Sequence, residues 1–490
     1  MDNELLESGT GGQAGVAGAG ARAGKISPGR SRDWPPGPRG HFLLGNMLEV
    51  QRGPLALLQK GFREYGDIVG YRFGTLRACL VAHPAYIQHV LHDNHRNYDK
   101  NNFDYAMLRR LLGNGLLTSE GAFWRRQRRL MAPMFQRQRV AEFCPLMVES
   151  TVEMLERWQD LAASAQPFDL AAEMGRLTLA IVARTLFSTD LSGEASAIAR
   201  ALTEANQQLS QFSLMDLIPL IPTARKRRFR DALSTLDGVV GKMLAARRGA
   251  TNRGADLLSM LLDARDEDTG GSMSERQVRD EVLTLMLAGH ETTATALTWT
   301  CYLLSQHLEI EARLRDELAA VLGGRTPTIG DLPDLSFTRM VIEESMRLYP
   351  PAWVVSRNAI GDDEIGGYRV RRGTSMMMCS FITHRHPAFW PDPERFDPDR
   401  FTAALSRERP AYSYFPFGGG PRVCIGNNFA MTEAQLVLAM IAQRYRLRLV
   451  PGHPVELQPL VTLRARHGML MTAHRVDHGA ASRNIDSEPR

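Results

Sequence analysis

Apolar side chains recur at helical spacing through most of the stretch between residues 41 and 476. The longest such pattern, SERQVRDEVLTLMLAGHETTATALTWTCYLLSQHL, begins at Ser274 and continues for over 30 residues. Ser274 and Gln277 have the spacing of a capping box, which marks the start of a helix. Because helices of this length are unusual in globular proteins, we expect one long helix that crosses the whole domain and is buried over much of its surface.

Two segments have the composition of β-hairpins. β-Branched and aromatic residues flank a Gly-Thr turn in residues 66–83, and a Gly-Gly turn lies within residues 362–384. No linker interrupts residues 41–476, so we predict one mainly α domain with small sheets at residues 34–476, although the length alone suggests two or three domains. Residues 1–33, rich in Gly, Ala and Ser, are predicted to form a disordered arm, and residues 477–490 a flexible tail.

Composition narrows the class of protein. The 490 residues are 44% hydrophobic, with a net charge of +5, and contain no long basic tract, so we expect a globular protein that does not bind nucleic acid. The N-terminal region has no apolar run of membrane-spanning length, which favours a cytoplasmic protein without a transmembrane anchor. The five cysteines show no CxxC spacing. This argues against a disulfide framework or zinc ribbon and fits a reducing compartment.

One cysteine lies in an unusual setting, the segment FPFGGGPRVCIGNNFA. The three glycines before Cys424 allow backbone conformations that other residues resist, and they let a flat ligand approach closely. A helical pattern follows, and its N-terminal dipole would stabilise a thiolate. We therefore expect a cysteine with a low pKa that serves as a metal ligand or as a nucleophile paired with a histidine; a buried structural cysteine is the alternative.

The spacing of this segment resembles the haem-binding signature of the cytochrome P450 family at Phe417, Gly420, Arg422, Cys424 and Gly426. The resemblance implies that Cys424 is the axial thiolate ligand of haem b, an arrangement that favours O–O cleavage. It also implies that Phe417 packs near the sulfur and that Arg422 pairs with a haem propionate.

A second segment, LMLAGHETTATA, resembles the oxygen-binding groove of the same family. In the groove, Ala288 and Gly289 are the small residues that widen the central helix over the iron. By the same resemblance, Thr292 is the alcohol and Glu291 the acid that relay protons to dioxygen. Many relatives have aspartate in place of Glu291.

Two further motifs concern binding and structure. In WRRQRRLMAPMF, Trp124 and Arg128 match a pair that the family places against a haem propionate, and Arg357 is expected to make a comparable contact. The segments EESMRLYPP and PDPERFDPDRF resemble the two parts of a structural triad. Its members here are expected to be Glu344, Arg347 and Arg395, which hold the loop leading to the cysteine.

The implied fold is a single, mostly helical domain with a small β-rich lobe and a central helix over the haem. The implied activity is insertion of one oxygen atom from dioxygen into a lipophilic substrate such as a fatty acid, terpenoid, steroid or polyketide. Electrons would come from a ferredoxin or flavodoxin with its NAD(P)H reductase, docked on exposed arginines near Trp124 of a monomeric enzyme. A peroxide-driven enzyme, an isomerase or a haem sensor are the alternatives, and the pair Glu291 and Thr292 favours the monooxygenase.

The resemblance also indicates a mostly apolar substrate pocket. The side chains expected in it are Phe103, Leu108, Leu117, Leu285, Ala288, Trp353, Val354, Val355 and Leu460. Residues 217–230 combine an apolar loop with a basic run. They are interpreted either as a lid that contacts an acidic substrate or a membrane, or as an ordinary loop beside a solvated helix.

Overall fold

The computed structural model describes residues 32–191, 193–210, 223–249, 256–264 and 272–476. Nearly all of the predicted arm, all of the predicted tail and the first part of the predicted lid, up to residue 222, lie outside these ranges. The α-helices are α1 (Met47–Arg52), α2 (Pro54–Tyr65), α3 (Pro84–Gln88), α4 (Phe103–Leu112), α5 (Gly121–Met131), α6 (Arg137–Ala163), α7 (Leu170–Phe187), α8 (Ala195–Ser210), α9 (Ala224–Gly249), α10 (Leu257–Asp263), α11 (Glu275–Gln306), α12 (Leu308–Leu322), α13 (Ser336–Leu348), α14 (Ser380–Thr383), α15 (Ala403–Glu408) and α16 (Asn427–Arg444).

The strands are short and form four small sheets within the described residues. They are β1 (Ile68–Phe73), β2 (Leu76–Val81), β3 (Tyr98–Asp99), β4 (Phe168–Asp169), β5 (Val355–Ala359), β6 (Asp363–Ile365), β7 (Tyr368–Val370), β8 (Ser375–Met378), β9 (Tyr445–Leu449), β10 (Leu457–Pro459), β11 (Leu463–Ala465) and β12 (Leu470–Arg475). The predicted mainly α fold with small sheets is confirmed.

Both predicted hairpins are present. β1 and β2 pair antiparallel from Ile68↔Val81 to Phe73↔Leu76, and β6 and β7 pair around the Gly-Gly turn. The largest sheet has the order β1-β2-β8-β5-β3 and joins distant parts of the chain, because β2 pairs parallel with β8. This sheet supports β5, the strand that carries Arg357.

The central helix α11 is 32 residues long, and Ser274 and Gln277 form the predicted capping box at its start. Most of its side chains are buried, including polar ones such as Glu281 and Glu291. The apolar side chains of α11 pack in the main hydrophobic cluster with residues of α6, α7 and α16. A helix buried on nearly all sides can carry polar groups only where neighbouring segments satisfy them, which makes α11 the element to search for function.

A fully buried ion pair fixes the segment after α14. The Arg347 guanidinium donates to both carboxylate oxygens of Glu344, at 2.6 and 2.8 Å, and both side chains are inaccessible to solvent. Its remaining N–H groups donate to the carbonyl oxygens of His384, Pro393 and Arg395. Three backbone carbonyls are thereby held to α13 by one side chain.

The expectation for Arg395 is wrong, because its side chain does not join this cluster. Arg395 is exposed and contributes only its backbone oxygen. The third arginine is Arg400, whose Nε lies 3.6 Å from Glu344 Oε1. Both arginines lie in the segment PDPERFDPDRF, and the 3₁₀ turn at Pro398–Phe401 directs the second of them inward.

Within the described residues, no helix combines the length and the apolar character needed to span a bilayer.

We predict that Arg347→Met destabilises the protein by about 3–5 kcal/mol, because it leaves the Glu344 carboxylate buried without a counter-charge. The matched control is Arg339→Met on the same helix, where the exposed Arg339 pairs with the half-buried Glu343 at 3.2 Å; we expect a loss below about 1 kcal/mol there. Urea unfolding measures the free energy of unfolding of both variants. Equal losses for the two variants would contradict a special role for the buried pair.

Candidate active site

Cys424 lies in a tight loop between a 3₁₀ turn at Gly420–Arg422 and the first residue of α16. Its backbone N–H donates to the carbonyl oxygen of Phe417 at 2.9 Å. Gly420 has a φ of 62°, and a Cβ atom there would lie 1.8 Å from the backbone oxygen of Leu91. Because only glycine fits this contact, the loop is held against the turn that contains Leu91.

Cys424 differs from the other cysteines in its surroundings. Its side chain is exposed, whereas the others are buried: Cys79, Cys144, Cys301 and Cys379. Burial raises the pKa of the Cys424 thiol even so. Accessibility and desolvation occur together where a side chain opens on space enclosed by protein rather than on bulk solvent. The thiol therefore faces an interior cavity.

The expectation of a low pKa at Cys424 is wrong for the polypeptide alone. Burial is the largest influence and raises the pKa, while the N–H of Gly426 and the charge of Arg128 oppose it. The predicted turn and a positive charge are both present, but they do not outweigh desolvation. A bound metal ion would deprotonate a coordinating thiol outright.

Trp124 lies between two arginines on one side of the cysteine loop. The Arg422 guanidinium is 3.6 Å from the centre of the indole ring, and that of Arg128 is 5.9 Å from it. Arg128 Nη1 donates to the carbonyl oxygen of Val423 at 2.9 Å, directly before the cysteine. The structure therefore brings Trp124, Arg128 and Arg422 together; their contact with a haem propionate stays a prediction.

A cluster of buried positive charge adjoins this group, and sequence reasoning missed one of its members. Lys100 is buried and donates to the carbonyl oxygen of Leu117 at 2.7 Å. Burial lowers the pKa of Lys100 well below its usual value, and the charges of Arg357 and Arg422 lower it further. Burial also lowers the pKa of Arg422 to about 10. No sequence signal identifies Lys100, because lysine is rarely buried.

The cluster contains more positive than negative charge. Arg357 is buried and donates to Tyr105 Oη at 3.3 Å and to a backbone oxygen, which are neutral partners. Glu120 is the carboxylate that pairs with Arg422. Arg357 and Lys100 form no ion pair within the described residues, so this region is suited to an anionic ligand.

The middle of α11 has an accessible strip on an otherwise buried helix. Ala288 is exposed and Gly289 and Thr292 are half-buried, while the residues before and after them are buried. Thr292 Oγ1 donates to the carbonyl oxygen of Ala288 at 2.6 Å. These accessible residues are the ones expected in the groove, and their role in binding oxygen stays a prediction.

Glu291 is held away from the strip by three donors. Its Oε1 accepts from Asn206 of α8, from Thr462 and, at 2.8 Å, from Nε of Arg464. The second carboxylate oxygen lies 2.8 Å from Arg464 Nη2. Glu291 and Thr292 are neighbours in sequence but have different partners, and the acid connects α11 to both α8 and the β10–β11 hairpin.

The predicted pocket side chains fall into two groups. The first group is accessible to solvent: Phe103 is exposed, and the partly accessible members are Leu108, Leu117, Val354 and Val355. Leu285, Trp353 and Leu460 are buried.

The expectation that Trp353 lines the pocket is wrong. Its indole N–H donates to the carbonyl oxygen of Leu460 at 2.8 Å, and its ring packs in the hydrophobic cluster beneath β1 and β2. An aromatic side chain whose N–H and ring are both satisfied by the core is a packing residue.

Two carboxylates near the start of α11 hold the loop between α4 and α5. The N–H of Asn114 donates to Asp280 Oδ2, and the N–H of Leu116 donates to Glu281 Oε2, each at 2.8 Å. This loop leads directly into Leu117. Sequence reasoning missed both carboxylates, because acidic side chains near the start of a helix are normally exposed to solvent.

Known proteins are similar to this chain over most of its length. The Cytochrome P450 family model matches residues 35–471. Cyclooctatin synthase of Streptomyces melanosporofaciens is 39% identical over 433 residues, which cover 87% of this chain and 93% of that protein. Cyclooctat-9-en-7-ol 5-monooxygenase of the same organism is 37% identical, over 88% and 94% of the two chains. Pentalenene oxygenase of Streptomyces avermitilis is 36% identical, over 86% and 93%.

We predict a pH effect from Glu281, since burial raises its pKa to about 8, from an ordinary value of 4.5. Between these values the folded protein holds a proton that the unfolded chain releases. The stability contribution is therefore complete below about pH 4.5 and is lost as the pH rises through about 8. Between pH 5 and pH 8 the free energy of unfolding of the wild type should fall by about 3–4 kcal/mol more than that of Glu281→Gln.

Urea unfolding at the two pH values measures this difference. Glu309→Gln, at an exposed position of α12, should behave as the wild type does. If the free energy of unfolding of Glu281→Gln fell as much as that of the wild type, Glu281 would not titrate in this pH range.

Proposed function

The chain belongs to the cytochrome P450 family, and from this premise we propose that it is a haem-thiolate monooxygenase that inserts one oxygen atom from dioxygen into a terpenoid. Two of the similar proteins, cyclooctat-9-en-7-ol 5-monooxygenase and pentalenene oxygenase, support the terpenoid class of substrate. The observation that carries the proposal is the accessible Cys424 thiol, in a glycine-fixed loop facing an interior cavity.

The residues present fit haem b. Cys424 would hold the iron, since its loop is fixed by the Phe417 carbonyl and by the contact of Gly420 with Leu91. Haem bound through a thiolate supplies the electron density that favours O–O cleavage. Phe417 packs against the main core, and Gly426 directs its N–H toward the sulfur.

The propionates would occupy the basic region beside this loop. Arg357 and Arg422 provide the planar guanidinium groups that match a carboxylate, and Lys100 adds a third buried charge. Trp124 and Arg128 fix Arg422 and the loop from the other side. Two propionate charges would compensate the excess positive charge of the cluster.

On the distal side, Ala288 and Gly289 would leave room beside the helix, and the Thr292 hydroxyl would move a proton toward dioxygen. At rest this hydroxyl donates to the Ala288 carbonyl. Glu291 is the nearest acid along α11 and is fixed by its three donors. The presence of both residues supports oxygen activation with external electrons over the use of peroxide.

Cytochrome P450 monooxygenases take electrons from redox partners, and we infer an acidic ferredoxin or flavodoxin for this chain. Arg125 and Arg129 are exposed on α5, the helix whose Arg128 touches the residue before Cys424. A partner docked on these arginines would lie one helix away from the thiolate, and salt would weaken its attraction.

The proposed function is tested by labelling with ¹⁸O₂. The purified haem protein is given NADPH, a surrogate ferredoxin and reductase, and a panel of terpene hydrocarbons and terpene alcohols. We expect a product with one ¹⁸O atom, at a rate that falls as salt is added. Product that contains oxygen only from water, or product formed solely with added peroxide, would overturn the proposal.

We predict that Thr292→Val uncouples electron use from product. NADPH consumption should stay within a few-fold of the wild-type rate, while product per NADPH falls about tenfold and hydrogen peroxide rises, because a positioned proton donor contributes at least this much. The matched control is Thr298→Val on the same helix. Thr298 also donates to the carbonyl four residues before it, at 2.7 Å, but is buried. Equal uncoupling in both variants would contradict the assignment.

We predict that Lys100→Met stabilises the haem-free protein and weakens the binding of haem in the haem-bound protein. The haem-free protein should become more stable to urea, because a desolvated and repelled charge is removed. Haem should transfer to apomyoglobin about tenfold faster, since one partner of a propionate is lost. The exposed Lys60→Met should change neither quantity. A loss of stability in the haem-free protein without faster haem loss would contradict the role of Lys100.

A further inference from the structure

Asp104 is a carboxylate that the activity described above does not use. It lies in the first turn of α4, and its side chain is exposed. Burial nevertheless raises the pKa of Asp104. This combination, which Cys424 also shows, places the carboxyl on space enclosed by protein.

The position of Asp104 on α4 agrees with that placement. Asp104 and Leu108 are one helical turn apart and share a face of the helix. Leu108 and Met107 pack against the main hydrophobic cluster, so this face is directed into the domain. Phe103 and Leu108 also belong to the predicted pocket.

A second pocket segment holds the carboxyl from the other side. Ser356 of β5 is buried, and its hydroxyl donates to Asp104 Oδ2 at 2.7 Å. Asn102 in turn donates to the Ser356 oxygen at 2.9 Å, which fixes the direction of that hydroxyl. Ser356 directly follows the partly accessible Val354 and Val355. The Asp104 carboxyl is thus fixed between two of the chain segments that supply accessible pocket side chains.

The Asp104 carboxyl can accept further hydrogen bonds. Asp104 forms no ion pair within the described residues, and Ser356 is the donor that the structure gives it there. The surrounding pocket side chains are apolar, so an unsatisfied oxygen at this place is costly. A ligand that brings a hydrogen-bond donor would satisfy it, whereas a ligand that brings a carboxylate would be repelled.

We propose that Asp104 is a polar anchor that selects terpenoids already carrying a hydroxyl group, by accepting a hydrogen bond from that hydroxyl. This inference rests on the proposed terpenoid function and narrows it to substrates that an earlier oxidation or hydration step has supplied. The hydroxyl bound at Asp104 fixes one end of an otherwise apolar molecule, and the carbon to be oxidised lies elsewhere on the skeleton. Fatty acids are disfavoured by the same carboxylate.

The test compares ligands that differ only in the donor. Geranylgeraniol and its methyl ether are titrated into the ferric haem protein, and the dissociation constant is taken from the change in the haem absorption spectrum. The alcohol should bind the wild type about tenfold more tightly than the ether, since the ether leaves the Asp104 oxygen without a donor and an unsatisfied acceptor costs about that much.

The variants separate the anchor from general packing. In Asp104→Leu the preference for the alcohol should disappear, through weaker binding of the alcohol. In Asp104→Asn, which keeps the size of the side chain, the preference should fall because an amide can also donate to the ether oxygen. Asp316→Asn, at an exposed position of α12, should keep the wild-type preference.

The two proposals fail in different ways. An unchanged preference for the alcohol in Asp104→Leu, or in Asp104→Asn if the leucine variant does not bind haem, would overturn the anchor and leave the terpenoid function standing. If neither ligand changes the spectrum of a wild-type protein that binds haem normally, the terpenoid class is wrong and the anchor falls with it.

Discussion

Buried positive charge needs a counter-charge, and this requirement governs the interior of the protein beside Cys424. Desolvating a cation costs several kcal/mol unless an anion offsets it. Lys100, Arg357 and Arg422 are all withdrawn from solvent, and Glu120 is the carboxylate that pairs with one of them. The polypeptide therefore carries an electrostatic cost that a dianionic ligand, such as the proposed haem, would remove. Folding and cofactor binding would then be coupled through this charge.

The central helix α11 carries buried acidic side chains, which need hydrogen-bond donors or positive charges nearby. One oxygen of each acid accepts a hydrogen bond from a neighbouring segment. Asp280 and Glu281 accept N–H groups from the loop before Leu117, and Glu291 accepts from α8 and from the β10–β11 hairpin. The acids of α11 therefore fasten the walls of the pocket to the helix that carries Thr292. We expect substitutions in these segments to alter the position of Thr292, the proposed proton donor.

The elements that sequence patterns predicted correctly are those whose cause is local. The capping box at Ser274 and the turn between β1 and β2 depend on residues within a few positions of each other. The glycine-fixed loop before Cys424 was recognised for the same reason, although its low pKa was not borne out. The thiol's pKa depends on how deeply tertiary packing buries it, and no local pattern contains that information.

The remaining errors also come from tertiary contacts. Arg395 was expected to meet Glu344, and only the fold shows that Arg400 of the same segment turns inward while Arg395 turns outward. Trp353 was expected in the pocket, but it packs beneath β1 and β2. Lys100 and Glu281 were missed because charged side chains are normally exposed, so their burial is visible only in three dimensions.

The most direct test of the account is the identity of the iron ligand, read from the spectrum of the reduced protein with carbon monoxide. The wild type and Cys144→Ala should both show the strongly red-shifted Soret band of thiolate ligation, and Cys424→Ser should lose it while still binding haem in the basic region. A band that persists in Cys424→Ser would contradict the assignment of the loop as the haem ligand.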